Sequence, residues 1–267
     1  MRTFMIGVSA LVMGSAALAE EGHVDVMPVA VIGDPSRIET GAFDFDGFAV
    51  DSLPPVRVYE NDLEDPGIGL LVGEAGFTSP SAFVAATQLG GSGYTNLAGG
   101  VDVRFDFRSF PVQGGPAANL WYWDGLDDDN DMDFSDDVDF QPAVATLTFE
   151  KLGGAFSASV DGSSAAVSGF VVDTTVFDDP GTSEDETGFM HLDLDALLDG
   201  DEGIYAISLD VTAGADAAPI FWLFNAGLGE AGEAAVEAAA GVVPEPATGA
   251  AVAIAALALL RGVRNRR

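Results

Sequence analysis

The stretch Val101-Asp102-Val103-Arg104-Phe105-Asp106-Phe107-Arg108 sets valine and phenylalanine against aspartate and arginine with a period of two. Successive side chains of an extended chain point to opposite faces, so the apolar residues share a dry face. The charged ones share a wet face on which acid and base alternate. A helix would scatter the same residues around its circumference. Outward from this strand the same alternation recurs in 42–46, 55–59, 146–150, 190–195 and 204–212. Leu120-Trp121-Tyr122-Trp123 and Ile220-Phe221-Trp222-Leu223-Phe224 are apolar on both faces, which predicts central strands covered on each side. Between the runs lie Gly33-Asp34-Pro35-Ser36, Asp65-Pro66-Gly67, Gly114-Gly115-Pro116, Asp161-Gly162-Ser163 and Asp199-Gly200-Asp201, all of turn chemistry. The pattern predicts an all-β chain: about ten strands in a single jelly-roll-like β-sandwich domain over 20–228, with no internal boundary and no repeat. Glu230, Glu233 and Glu237, three and four residues apart among alanines, predict one short helix over 229–240. It either packs loosely beside the sandwich or, as a spacer over 229–243, separates it from the chain end.

The chain has 267 residues, 48% of them hydrophobic, enough for a sizeable core. Forty-three acids stand against ten bases, and five of those bases (Arg2, Arg261, Arg264, Arg266, Arg267) lie at the ends. Residues 20–243 hold 42 acids and five bases, a formal charge of −37. Such a body repels phosphate backbones, which argues against a nucleic-acid partner. With no cysteine there are no disulfides, thiolate metal sites or thiol nucleophiles.

Both ends read as addresses. Arg2 precedes an apolar stretch over 4–18 that closes on Ala17-Leu18-Ala19. Small residues at −3 and −1 suit signal peptidase, so 1–19 reads as a secretory signal peptide and Glu20 as the mature start. At the other end Pro244-Glu245-Pro246 is followed by an apolar run over 247–260 and then by Arg261, Arg264, Arg266 and Arg267. Alternating prolines hold the backbone extended, the apolar run partitions into lipid, and the arginines stay on the cytoplasmic side. The run is short for an unassisted span of about 20 residues, which favours a processed signal over a permanent anchor.

Residues 244–267, beginning at Val243-Pro244-Glu245-Pro246, closely resemble the PEP-CTERM sorting signal of Gram-negative bacteria. The resemblance implies recognition by an exosortase-type membrane peptidase and cleavage near the motif. It also implies transient anchoring in the inner membrane and delivery to the cell surface or extracellular matrix, among bacteria that make extracellular polysaccharide. β-rich ectodomains without assigned activity are what such a tail usually follows.

Within the body, the run from Asp124 to Asp139 carries Asp127, Asp129, Asp131 and Asp133, a set that offers oxygens to calcium. The register of an EF-hand fails. Starting at Asp127 puts Met132 where glycine belongs and Val138 where the bidentate glutamate belongs, and starting at Asp129 puts Phe134 and Phe140 there. A solvated, self-repelling loop is the reading the run favours, and calcium stays open beside it as the alternative. Trp121 and Trp123 share one face of their strand; with Leu120 and Tyr122 apolar as well they read as core, and a stacking platform for sugar is the alternative. His23 and His191 are the only imidazoles. His191 shares a strand face with Asp193 and Asp195, and it reads as an ordinary surface histidine, since zinc usually takes three or four N or S ligands. Gly90-Gly91-Ser92-Gly93-Tyr94 lacks the last glycine of a nucleophile elbow, and no glycine-rich phosphate loop opens a helix. The sequence therefore predicts an exported, non-catalytic structural or adhesive module. Its alternative is a carbohydrate-binding or carbohydrate-active ectodomain that uses calcium and recognises extracellular polysaccharide.

Overall fold

Alternation turns into strand where it was densest. Residues Asp102–Phe107 form β7, with Val103, Phe105 and Phe107 buried and Asp102 and Arg104 exposed. The computed structural model describes residues 24–243, apart from 128–133, 135, 136, 152–155, 177–180, 182, 183, 215, 230 and 231. The expected signal segment with Ala17, Ala19 and Glu20, and the sorting segment from Pro244 to Arg267, lie outside the described residues. Among the described residues no helix is long and apolar enough to cross a membrane.

The described chain is all-β, built on two mixed sheets. The first runs, side by side, β11 (Ser157–Asp161), β10 (Thr146–Glu150), β13 (Met190–Asp199), β5 (Leu71–Ser79), β1 (Asp25–Val31), β2 (Asp34–Asp44) and β3 (Ala49–Ser52), with β6 (Tyr94–Thr95) also on β1. The second runs β12 (Phe170–Asp173), β7, β14 (Gly203–Ala213), β15 (Asp216–Ala226) and β4 (Val58–Leu63). Here β8 (Trp121–Trp123) adds to β14, and β9 (Gln141–Pro142) adds to β8. Most pairings are antiparallel, but β1 runs parallel to β5 and β4 parallel to β15. Those two pairs depart from the antiparallel order that jelly-roll topology requires.

One cluster of buried side chains draws on both sheets. Phe77 of β5 meets Phe105 of β7 at 4.3 Å and Trp222 of β15 at 5.2 Å, and Phe107 of β7 meets Phe149 of β10 at 5.3 Å. The run Ile220-Phe221-Trp222-Leu223-Phe224 is apolar throughout because β15 serves two cores. Ile220, Trp222 and Phe224 enter this main cluster, while Phe221 and Leu223 join a second one with Trp121, Trp123 and Ile204. Helix α2 (Gly232–Val242) closes the second cluster with Ala235, Val236 and Ala239, and the following Val243 is buried there too. The expected loose helix or spacer is thus a docked element: its alanines let the backbone approach β15 closely, and Glu233 and Glu237 face water.

Helix α1 (Ala82–Gln88), which the sequence reading did not anticipate, covers the opposite face of β1. Its N-cap Ser81 accepts a hydrogen bond from the Val84 amide at 3.2 Å. Val84, Ala85 and Leu89 pack on Met27, Val29 and Phe43, whereas Val26 and Ala30 of β1 enter the main cluster. Strand β1 is therefore buried on both faces, which is why it carries no alternation. Beyond the edge of that small core the outer face of the eight-stranded sheet turns polar.

Candidate functional site

Period two along β13 places Met190, Leu192 and Leu194 in the main core and His191, Asp193 and Asp195 on the outer face. Antiparallel pairing with β5 sets His191 opposite Thr78, Asp193 opposite Gly76 and Asp195 opposite Glu74. Gly76, itself buried, adds no side chain beside Asp193. Asp25, at the start of β1, comes in from the other side of β5. It is fully buried, and its Oδ2 accepts a short hydrogen bond from the Thr78 hydroxyl. His191 Nε2 lies 2.8 Å from Asp193 Oδ1 and 3.8 Å from Asp25 Oδ2. The chain that leaves β2 folds Phe45 flat over the imidazole, with ring centroids 3.7 Å apart and planes within 2°. Phe48 packs edge-on against Phe45 at 6.5 Å. The imidazole is thereby held between an aromatic lid and two carboxylates, and the Asp193 side chain, 39% exposed, forms the mouth.

Electrostatics of the cluster follow from this placement. Burial raises the Asp25 carboxyl from 3.8 to about 7; the Thr78 hydrogen bond opposes the rise, Asp193 adds to it, His191 opposes it and Glu74 adds to it. Glu74 and Asp195 are raised too, first by burial and then by neighbouring carboxylates. For His191 burial works against the charged form, but contact with Asp193 and the charges of Asp193, Asp25 and Glu74 outweigh it, and its pKa lies above the ordinary 6.5. The face thus concentrates negative charge around one imidazole. Described arginines make their ion pairs elsewhere: Arg37 and Arg57 with Glu39, Arg104 with Asp106, and Arg108 with Asp210.

Asp25, His191 and Asp193 each offer one ligand atom, and the three atoms lie within 4.8 Å of one another. An imidazole nitrogen with two carboxylate oxygens is a donor set that divalent metals of the zinc type accept. Of this group the sequence reading had placed His191 and Asp193 on one face, but it took His191 for an ordinary surface histidine, whereas its side chain is 21% exposed and held between two carboxylates. It missed Asp25, Thr78 and Phe45, which belong to other strands; only the long-range pairing of β1, β5 and β13 brings them together.

The other expected sites fare differently. Asp129, Asp131 and Asp133 lie outside the described residues, whereas Asp127 is described and half-buried. Trp121 and Trp123 are 1% and 3% exposed, both packed in the cluster under α2, and the Trp121 indole donates to the Phe110 carbonyl at 3.0 Å. Neither ring offers a face to a sugar in this structure: Trp121 and Trp123 are core, as the favoured reading had them, and the alternative of a stacking platform at Trp121 and Trp123 is corrected. Compared with known proteins, the chain matches no family model and no curated sequence.

Proposed function

We propose that this chain is an exported, non-catalytic surface module, a β-sandwich that a PEP-CTERM-type tail delivers to the cell surface or extracellular matrix. The carrying observation is the succession of segments in the tail's sequence: Pro244-Glu245-Pro246, the apolar run 247–260, and Arg261, Arg264, Arg266 and Arg267. Its junction with the body supports the reading. Val243 is 4% exposed and packs with Ala239 and Val236 in the cluster under α2, so a cut at the motif leaves every described core residue in place. The sandwich reading is supported by ring contacts that join the two sheets, Phe77 with Phe105 and Trp222, and Phe107 with Phe149. In the proposed route signal peptidase cleaves after Ala19. The apolar run then halts in the inner membrane with the arginines inside, and an exosortase-type peptidase releases or attaches the body. Extracellular polysaccharide is the proposed surrounding.

Fractionation of native cells and mass spectrometry of the mature C-terminus test this. Loss of the residues after the proline motif, with the body at the surface or in the medium, is the expected result. An intact Arg267 in the inner membrane would reduce the tail to a permanent anchor, and a full-length chain in the cytosol would end the proposal.

A further inference from the structure

We propose that Asp25, His191 and Asp193 form a binding site for one divalent transition-metal ion of the zinc class on the outer face of the eight-stranded sheet. Spacing is the first ground. Two donors each about 2.1 Å from one ion stand about 3 to 4.2 Å apart. His191 Nε2 and Asp25 Oδ2, 3.8 Å apart, already span an ion. Asp193 Oδ1, 2.8 Å from Nε2, sits on a partly exposed side chain that reaches the same ion after a small torsional change.

Preorganisation is the second ground, and it separates this cluster from an ordinary patch of surface acid. Asp25 is fully buried and its ligand oxygen is oriented by the Thr78 hydroxyl, the kind of outer hydrogen bond that fixes a metal carboxylate. Phe45, stacked on the imidazole, holds the ring plane and keeps water off one face. Charge is the third ground. The ligand oxygens of Asp25 and Asp193 lie within 4.8 Å of each other and of the imidazole, and a dication at the centre neutralises the two carboxylates.

Donor chemistry selects the metal. Calcium takes six to eight oxygens and gains little from an imidazole, whereas zinc and its neighbours accept one nitrogen and two oxygens and keep a fourth position open to water or an outside ligand. The site stands independently of the sorting tail, and its failure would leave the proposed route untouched.

The purified full chain, stripped with chelator and returned to chelator-free buffer, is titrated with zinc by calorimetry and with cobalt(II) by visible absorption. Expected are one ion per chain, the intense d–d bands of low-coordinate cobalt, and a raised thermal midpoint with zinc. His191→Gln and Asp193→Asn, both at partly exposed positions, are each expected to weaken zinc at least about tenfold with unchanged circular dichroism. Asp127→Asn, in the acidic run, is expected to leave the affinity alone. Absence of stoichiometric zinc, weak six-coordinate cobalt bands, or zinc affinity undiminished in His191→Gln would each overturn the proposal. So would calcium binding more tightly than zinc. The cobalt spectrum of the unmodified chain decides the matter even if a variant fails to fold.

Discussion

Asp25 sets one carboxyl in a position that water does not reach, next to two other acids, and the metal-free protein must carry the consequence. A carboxyl held at about 7 in the folded state and 3.8 when unfolded binds its proton more tightly in the fold. Its contribution is fully present below pH 3.8 and is lost as the pH rises through about 7, on the order of 4 kcal/mol at roughly 1.4 kcal/mol per pH unit. His191, also raised, acts in the same direction: its contribution is present below 6.5 and lost above its folded value. Urea unfolding of the chelated protein at pH 5 and pH 8 should therefore show a clear loss of stability at the higher pH. In Asp25→Asn, which keeps an oxygen for the Thr78 hydroxyl, that loss should shrink by more than half. Equal pH slopes in the two proteins would mean that Asp25 is charged in the fold at pH 5.

At the scale of the element, helix α2 shows what alternation and spacing could tell and what they could not. Glutamates three and four residues apart made a helix legible, and Glu233 and Glu237 do face water. The docking was not legible, because Ala235 and Ala239, fully buried, differ in no way along the chain from the exposed Ala234. Strand β10 was legible to the residue, 146–150, because both its faces differ in polarity. Strand β1 was not, because α1 and the main core make both its faces apolar; with it went Asp25, whose partner Thr78 is 53 residues away. The candidate site was thus half visible: a period of two on β13 joins His191 to Asp193, while sheet order alone supplies the rest. The docking predicts an asymmetry between helix faces. Val236→Asp, placing a charge among Phe221, Leu223 and Trp123, should cost on the order of 3 kcal/mol in chemical unfolding. Glu237→Ala should change stability by no more than about 0.5 kcal/mol, since it removes only an exposed acid that disfavours the charge of Glu60. Equal small effects would show a helix that does not seal the core.

Across the whole molecule the excess of acid is ordered by the sheets. Glu150, Asp195 and Glu74 stand directly opposite one another on β10, β13 and β5, a row of three like charges across three strands. Asp102 and Asp173 face each other on β7 and β12, and Asp173 is raised by its contact with Asp102. Like charges opposite each other on a ladder destabilise it, and in the unfolded chain the same groups move apart. Burial of both core faces must therefore hold together a surface that repels itself, with 42 acids against five bases between residues 20 and 243. Repulsion of this kind is what dissolved salt screens: the Debye length falls from about 10 Å at 0.1 M to about 3 Å at 1 M, shorter than the spacing of strands. Raising sodium chloride over that range, in chelator so that no divalent ion contributes, should lift the thermal midpoint by about 3 °C or more. Glu150→Gln and Asp173→Asn, each removing one member of an opposed pair, should raise the midpoint in low salt and reduce the response to added salt. A midpoint that ignores sodium chloride in all three proteins would mean that the unfolded chain feels the same repulsion, and that the ordered rows of acid cost the fold nothing.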